Sequence, residues 1–103
     1  MSVTITARHF KLKDDLKEFV EEKVKKLERY YDGKMDIDIV LGWEKMSRYT
    51  EFRLLVNNKN IVIKEESDEM KKSFVMALEN AERQLKKYKE KLKAPVKVKE
   101  VAV

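Results

Sequence analysis

The chain has no cysteine, one histidine, one proline, one tryptophan and two glycines among its 103 residues. Without cysteine there is no disulfide, no thiol nucleophile and no thiolate-held zinc or iron–sulfur centre. His9 is the only imidazole, so a multi-histidine metal site cannot be built, and no serine or acid stands at a triad spacing from it. Gly33 and Gly42 are too few and too far apart for a glycine-rich phosphate loop. Asp36 and Asp38 share a strand face, but no Asp-Gly calcium loop surrounds them. The expectation is a protein that is not an enzyme, with no catalytic residues, no metal site and no cofactor. Long apolar runs are missing too. Arg8, Lys11, Lys13, Asp14, Asp15, Lys17 and Glu18 interrupt the first twenty residues, leaving no signal-peptide core. No stretch nears the roughly eighteen apolar residues that a membrane helix needs. A cytoplasmic chain that does not touch a membrane is expected.

What is present is charge. Lys and Arg total 24 against 19 Asp and Glu, a net +5, and 42% of residues are charged. The hydrophobic share of 43% is that of an ordinary globular domain, and a chain of about 100 residues is normally one domain. The basic excess leans toward a polyanionic partner without naming one.

Periodicity divides the chain into elements. Residues 2–7 alternate around Val3 and Ile5 and read as a strand. From Asp14 to Tyr31 the residues Leu16, Phe19, Val20, Val24, Leu27, Tyr30 and Tyr31 share one side of a helical wheel. Gly33 is placed to end that helix in a left-handed cap. Met35, Ile37, Ile39, Leu41 and Trp43 alternate as a half-buried strand, 44–48 form a polar connection, and Thr50, Phe52, Leu54 and Val56 alternate as another. Asn57-Asn58-Lys59-Asn60 is a turn cluster, because asparagine tolerates positive φ. Ile61 and Ile63 mark a fourth strand. Ser67 or Asp68 can cap a second helix. Its stripe, Met70, Phe74, Ala77, Leu78, Ala81, Leu85, Tyr88 and Leu92, runs until Pro95 should stop it. The expected fold is α+β in the order β-α-β-β-β-α, with two helices packed on one face of a four-stranded mixed sheet. The first helix is long enough to make strands one and two parallel neighbours, and the rest form an antiparallel meander. Val40, Leu55 and Val62 would lie on the sheet's other face as an apolar patch.

The cations gain meaning once placed on the wheels. Arg83, Lys87 and Lys91 stand at i, i+4, i+8, stacking three charges along one flank of the second helix, with Lys86, Lys89 and Lys93 near the same end. Cations near a helix C-terminus also answer the helix dipole and need no ligand. Lys23 falls within the apolar stripe of the first helix. Either its ammonium snorkels out along a groove or the groove beside it receives an anion. Lys26 and Arg29 flank the same side. With the helices side by side, these charges and the Arg83–Lys87–Lys91 row could border one groove suited to a phosphate backbone. Tyr30, Tyr31 and Tyr88 form the edge of the core or stacking surfaces for unpaired bases.

Several segments together resemble one family. They are Ile5-Thr6-Ala7-Arg8-His9, then Leu16, Phe19-Val20, Lys23 and Lys26-Leu27-Glu28-Arg29-Tyr30. Glu44-Lys45, Asp68-Glu69-Met70 and the run from Glu82 to Leu92 follow. This pattern, across residues 2–93, resembles the ribosome hibernation-promoting factors, also called ribosome-associated inhibitors. The resemblance implies a fold like the double-stranded-RNA-binding domain. It also implies a protein that binds the small ribosomal subunit and its 16S rRNA at the decoding region. There it would block messenger and transfer RNA and silence translation under stress or in stationary phase. Partners extend to 70S ribosomes and ribosome dimers, and the free protein would be a monomer. The implied rRNA-binding residues are Arg8, Lys23, Lys26, Arg29, Arg83, Lys86, Lys87, Lys89 and Lys91. Arg29 and Lys86 are tied less closely to the family pattern.

The sequence departs from the pattern at Lys13, where a capping Thr or Ser is common, so Asp14 would take that role. The expected division is a ribosome-binding domain at 1–93 and a flexible C-terminal tail at 94–103. The chain would be a short form, or the N-terminal domain of a long form that carries a second, dimerising domain. The competing readings are a general double-stranded-RNA-binding domain and a protein-interaction domain.

Overall fold

The computed structural model describes the backbone of residues 1–101 and the side chains of residues 1–91. The elements are β1 (Ser2–Arg8), α1 (Asp14–Val24), a 3-10 helix (Lys25–Tyr30), β2 (Met35–Glu44), β3 (Ser47–Val56), β4 (Lys59–Ser67) and α2 (Met70–Val101). The sheet order is β1-β2-β3-β4, with β1 parallel to β2 and the other pairs antiparallel. This is the expected order and connectivity.

Alternation in the strands decides which layer each residue joins. Ile37, Ile39 and Leu41 of β2 lie in register with Leu54, Phe52 and Thr50 of β3, and all are buried beneath the helices. Val20, Val24, Leu27, Phe74, Ala77, Leu78, Ala81 and Leu85 close the core from above. Among these, each Val, Leu or Phe side chain contributes about 1.5–3 kcal/mol on full burial. One polar pair is sealed within this layer: Thr50 Oγ1 and Ser73 Oγ lie 2.9 Å apart, both fully buried, and Ser73 Oγ also donates to the Met70 carbonyl at 2.8 Å.

Phe19 packs beside Phe74 and Tyr30 beside Glu82, so the two helices run parallel. Both start at the end of the sheet where β2 turns into β3. Both run toward the Asn57-Asn58 turn, where Asn57 Nδ2 donates to the Tyr88 hydroxyl at 3.3 Å. That turn has two residues, both at positive φ as expected of asparagine.

Several local expectations are corrected. The first helix does not stay α-helical to Tyr31; it tightens into the 3-10 form at Lys25. There residues three apart eclipse, which stacks Val24, Leu27 and Tyr30 in one row against the core. Gly33 is not a left-handed cap, since neither glycine has positive φ. The chain leaves through an extended Tyr31 (φ −158°), and Gly33 makes room for the Tyr31 ring, 2.7 Å from where its Cβ would stand. The connection expected at 44–48 shrinks to the turn Lys45–Met46, because Glu44 already pairs with Ser47. Neither Ser67 nor Asp68 caps α2, which starts at Met70 with the Glu69 carbonyl accepting from the Ser73 N–H at 3.0 Å. Nor does α2 stop at Pro95: its backbone continues to Val101. Proline costs a helix one hydrogen bond, and the turns on either side can carry it on. The end of the expected tail, residues 102–103, lies outside the described residues. On the open face of the sheet Val40 is buried, which reduces the expected patch to Leu55 and Val62. Gly42 lies under the Tyr49 ring, and a Cβ there would overlap it.

Candidate nucleic-acid interface

The 3-10 segment reorganises the cations of the first helix. Because i and i+3 eclipse, Lys26 and Arg29 stand in one column, with Lys23 one step above at the end of α1. On a uniform 3.6-residue wheel the three charges keep to one side but fan out over about 120°. Lys23 is exposed, so its ammonium snorkels out of the apolar stripe. It comes to 5.8 Å from the Phe19 ring centroid, and Lys71 of α2 approaches the same ring at 5.0 Å. Lys71 is not one of the nine residues expected to bind rRNA. Its convergence with Lys23 depends on how far the helices are offset, which no local pattern encodes.

Helix α2 carries two basic flanks. Glu82 marks one, since its Oε2 accepts from the Tyr30 hydroxyl at 2.9 Å. That bond raises the Tyr30 pKa, chiefly through the hydrogen bond to Glu82 and then through the carboxylate's charge. At 100° per residue Lys71 and Lys89 lie about 20° from Glu82, and Lys86 about 40°. Arg29, Tyr30, Lys86, Lys89 and Glu90 accordingly line one cleft of about 350 Å³ between the 3-10 helix and α2. Asn80 marks the opposite flank, donating to Glu65 Oε2 on β4 at 3.0 Å. Lys87 and Lys91 lie about 20° from Asn80, and Arg83 about 60° outward. The groove beside the first helix is thus bordered by Lys86 and Lys89, and the Arg83–Lys87–Lys91 row lies on the far side of α2.

Eight of the nine expected residues project from the helical layer: Lys23, Lys26, Arg29, Arg83, Lys86, Lys87, Lys89 and Lys91. Arg8 does not join them. It ends β1 in register with Gly42, on the open face, about 23 Å along the sheet from the strand end beneath Tyr30 and Tyr88. All nine are exposed, and among the described residues none takes part in an ion pair. Between Met70 and Lys91, α2 presents Lys71, Lys72, Arg83, Lys86, Lys87, Lys89 and Lys91 against Glu79, Glu82 and Glu90.

The open face has the opposite balance. Asp36, Asp38, Glu44, Glu51 and Glu66 share it with Arg8, Arg53 and Lys64. Arg53 is paired with Glu51 at 2.7 Å, and Lys64 with Glu44 at 3.5 Å and Glu66 at 3.9 Å. The tyrosines serve mainly as core edge. Tyr30 is tied to Glu82, and Tyr31 packs against Tyr88 with ring centroids 6.0 Å apart. No cluster of three or more potential metal ligands occurs among the described residues. No helix there is long and apolar enough to cross a membrane.

The structure is thus a mixed four-stranded sheet covered on one face by a basic helical layer. Solved structures share its fold. The N-terminal domain of Protein Y from Thermus thermophilus superposes with a TM-score of 0.79 at 22% identity, over 85% of this chain and 99% of that one. A ribosomal subunit interface protein from Coxiella burnetii superposes with a TM-score of 0.81 at 24% identity, over 87% and 99%. The family model described as Sigma 54 modulation protein / S30EA ribosomal protein matches residues 3–93. The ribosome hibernation promoting factor of Escherichia coli K12 is 33% identical over 93 residues, spanning 90% of this chain and 98% of the relative. That of Azotobacter vinelandii is 31% identical over 91 residues, spanning 88% and 85%. The chain belongs to this family of ribosome hibernation promoting factors.

Proposed function

We propose that the protein silences translation by occluding the small ribosomal subunit. The helical layer lies against 16S rRNA at the decoding region, and its lysines and arginines neutralise backbone phosphates. The body of the domain then stands where messenger RNA and the transfer RNA anticodon arms would bind. Lys23, Lys26 and Arg29 on the first helix and Arg83, Lys86, Lys87, Lys89 and Lys91 on the second are the contacts in this reading, with Arg8 as an outlying one. It acts in the cytoplasm by occupancy, without catalysis, as a monomer that also associates with 70S ribosomes and ribosome dimers. Residues 1–93 are the binding unit.

The observation that carries this reading is the charge division. Eight exposed cations, with no carboxylate partner among the described residues, share one layer, whereas Arg53 and Lys64 on the opposite face are already matched by acids. A polyanion gains by meeting the first surface and gains little from the second. The test is co-sedimentation with purified small subunits in competition with initiator transfer RNA. Mutual exclusion is expected. Changing Arg83, Lys87 and Lys91 together to Glu should abolish subunit binding while circular dichroism stays that of the parent. Simultaneous binding of protein and transfer RNA would contradict occlusion and favour general affinity for double-stranded RNA.

A further inference from the structure

The only tryptophan in the chain is not in the core. Trp43, at the end of β2, is 43% exposed. Phe10, from the β1–α1 connection, stacks on it with ring centroids 5.3 Å apart and planes 3° from parallel. The Arg48 guanidinium lies 4.2 Å from the Trp43 ring centroid. The residues on either side of this ladder, His9 (φ 68°) and Lys45 (φ 35°), take backbone conformations that are unfavourable without glycine. Next to Lys45, Met46 is 93% exposed at the hairpin tip. Two clefts meet at Trp43, one of about 620 Å³ toward His9, Lys45 and Met46 and one of about 350 Å³ toward Phe10, Leu16 and Met70.

The charges around the ladder favour an anion. Lys11 and Lys13 line one cleft and Lys45 the other, and none of the three has a carboxylate partner among the described residues. Glu44 is matched by Lys64 at 3.5 Å, and Asp15 Oδ1 accepts from the Leu16 N–H at 2.9 Å. An occupant that is both planar and anionic satisfies both features. The parallel Phe10 and Trp43 rings can be extended by another flat π-system, and unpaired bases stack on aromatic rings and on guanidinium groups.

We propose that the Phe10–Trp43–Arg48 ladder is a second RNA contact, at the opposite end of the molecule from the Lys86–Lys91 cluster. It stacks an unpaired base of a single-stranded segment, with Lys11, Lys13 and Lys45 on the flanking phosphates. This inference rests on the RNA-binding reading above and adds to it a preference for unpaired nucleotides at one defined place.

Trp43 reports on its own site, because no other indole contributes to the emission. The full chain is titrated with a ten-nucleotide single-stranded RNA, a duplex of equal length and a poly-glutamate peptide. Saturable quenching by the single strand alone is expected, with its amplitude at saturation retained when Arg83, Lys87 and Lys91 are changed to Glu. With labelled single strand followed by anisotropy, Trp43→Ala should weaken binding about 5–150-fold, the span of one lost base stack. Trp43→Phe, which keeps a ring in the ladder, should retain most of the affinity and guards against a folding defect. Unmoved emission, equal quenching by poly-glutamate, or unchanged affinity in Trp43→Ala overturns the ladder contact. Subunit binding without quenching removes the ladder and leaves the helical interface standing. Quenching without subunit binding does the reverse.

Discussion

At the scale of single residues, the bond between Tyr30 and Glu82 is a direct side-chain link across the helical groove. It joins the 3-10 helix to α2 at the level where Arg29, Lys86 and Lys89 converge. The phenol donates its proton, so ionising it removes the bond and sets a phenolate against a carboxylate. The folded-state pKa is raised above 10.0 for that reason. A pKa raised on folding means that the native state holds the proton more tightly. The stabilisation is complete below pH 10 and is lost as pH rises through the folded value. In a spectrophotometric titration, Glu82→Gln should bring the Tyr30 ionisation back down toward 10.0. In thermal melts the advantage of the parent over Tyr30→Phe should shrink above pH 10. A constant difference between the two from pH 8 to 11 would mean that the bond does not form in solution.

At the scale of elements, periodicity made most of the fold legible. Period 2 in 35–43 and 50–56 and period 3.6 in 70–92 mark which side chains face the core, and one helix between two strands dictates the parallel pair. What escaped depends on contacts between elements. The shift to 3-10 geometry at Lys25 is invisible on a uniform wheel, yet it aligns Lys26 with Arg29. Gly33 after the helix suggests a left-handed cap, whereas the residue has no positive φ and answers the Tyr31 ring. The nine basic residues could be named from the sequence, but their division between two flanks of α2 and the open face could not. That division follows from which neighbour Asn80 and Glu82 each meet. The buried Thr50–Ser73 bond is another such contact, joining β3 to the first turns of α2. Ser73→Ala strands the Thr50 hydroxyl without a partner and should cost about 1–3 kcal/mol in denaturant unfolding. Thr50→Val should cost less, because Ser73 keeps its bond to the Met70 carbonyl. Making both changes should recover part of the Ser73→Ala loss. Strictly additive costs would show that the two hydroxyls do not depend on each other.

At the scale of the whole molecule, a net charge of +5 understates the field. Acids gather on the open face and the outer arc of α1, and cations gather on α2 and the 3-10 column. Binding to a phosphate backbone by such a layer should weaken steeply with salt. About five phosphate contacts give a log–log slope near −3.5 to −4.5. The two flanks of α2 make the number of contacts separable. One variant carries Arg29, Lys86 and Lys89 changed to Gln, and another carries Arg83, Lys87 and Lys91 changed likewise. If RNA wraps the helical layer, each set should make the slope of subunit binding shallower by about 0.7–0.9 per phosphate lost. If RNA lies only in the groove beside the 3-10 helix, the first set alone changes the slope and the second leaves it at the parent value. Because Lys87 and Lys91 lie on the β4 side of α2, with Arg83 turned outward, a shallower slope in the second variant requires RNA on both sides of the helix. The expected result is a shallower slope in both variants, measured by co-sedimentation across a salt series. A parent slope near zero would remove phosphate neutralisation as the basis of binding altogether.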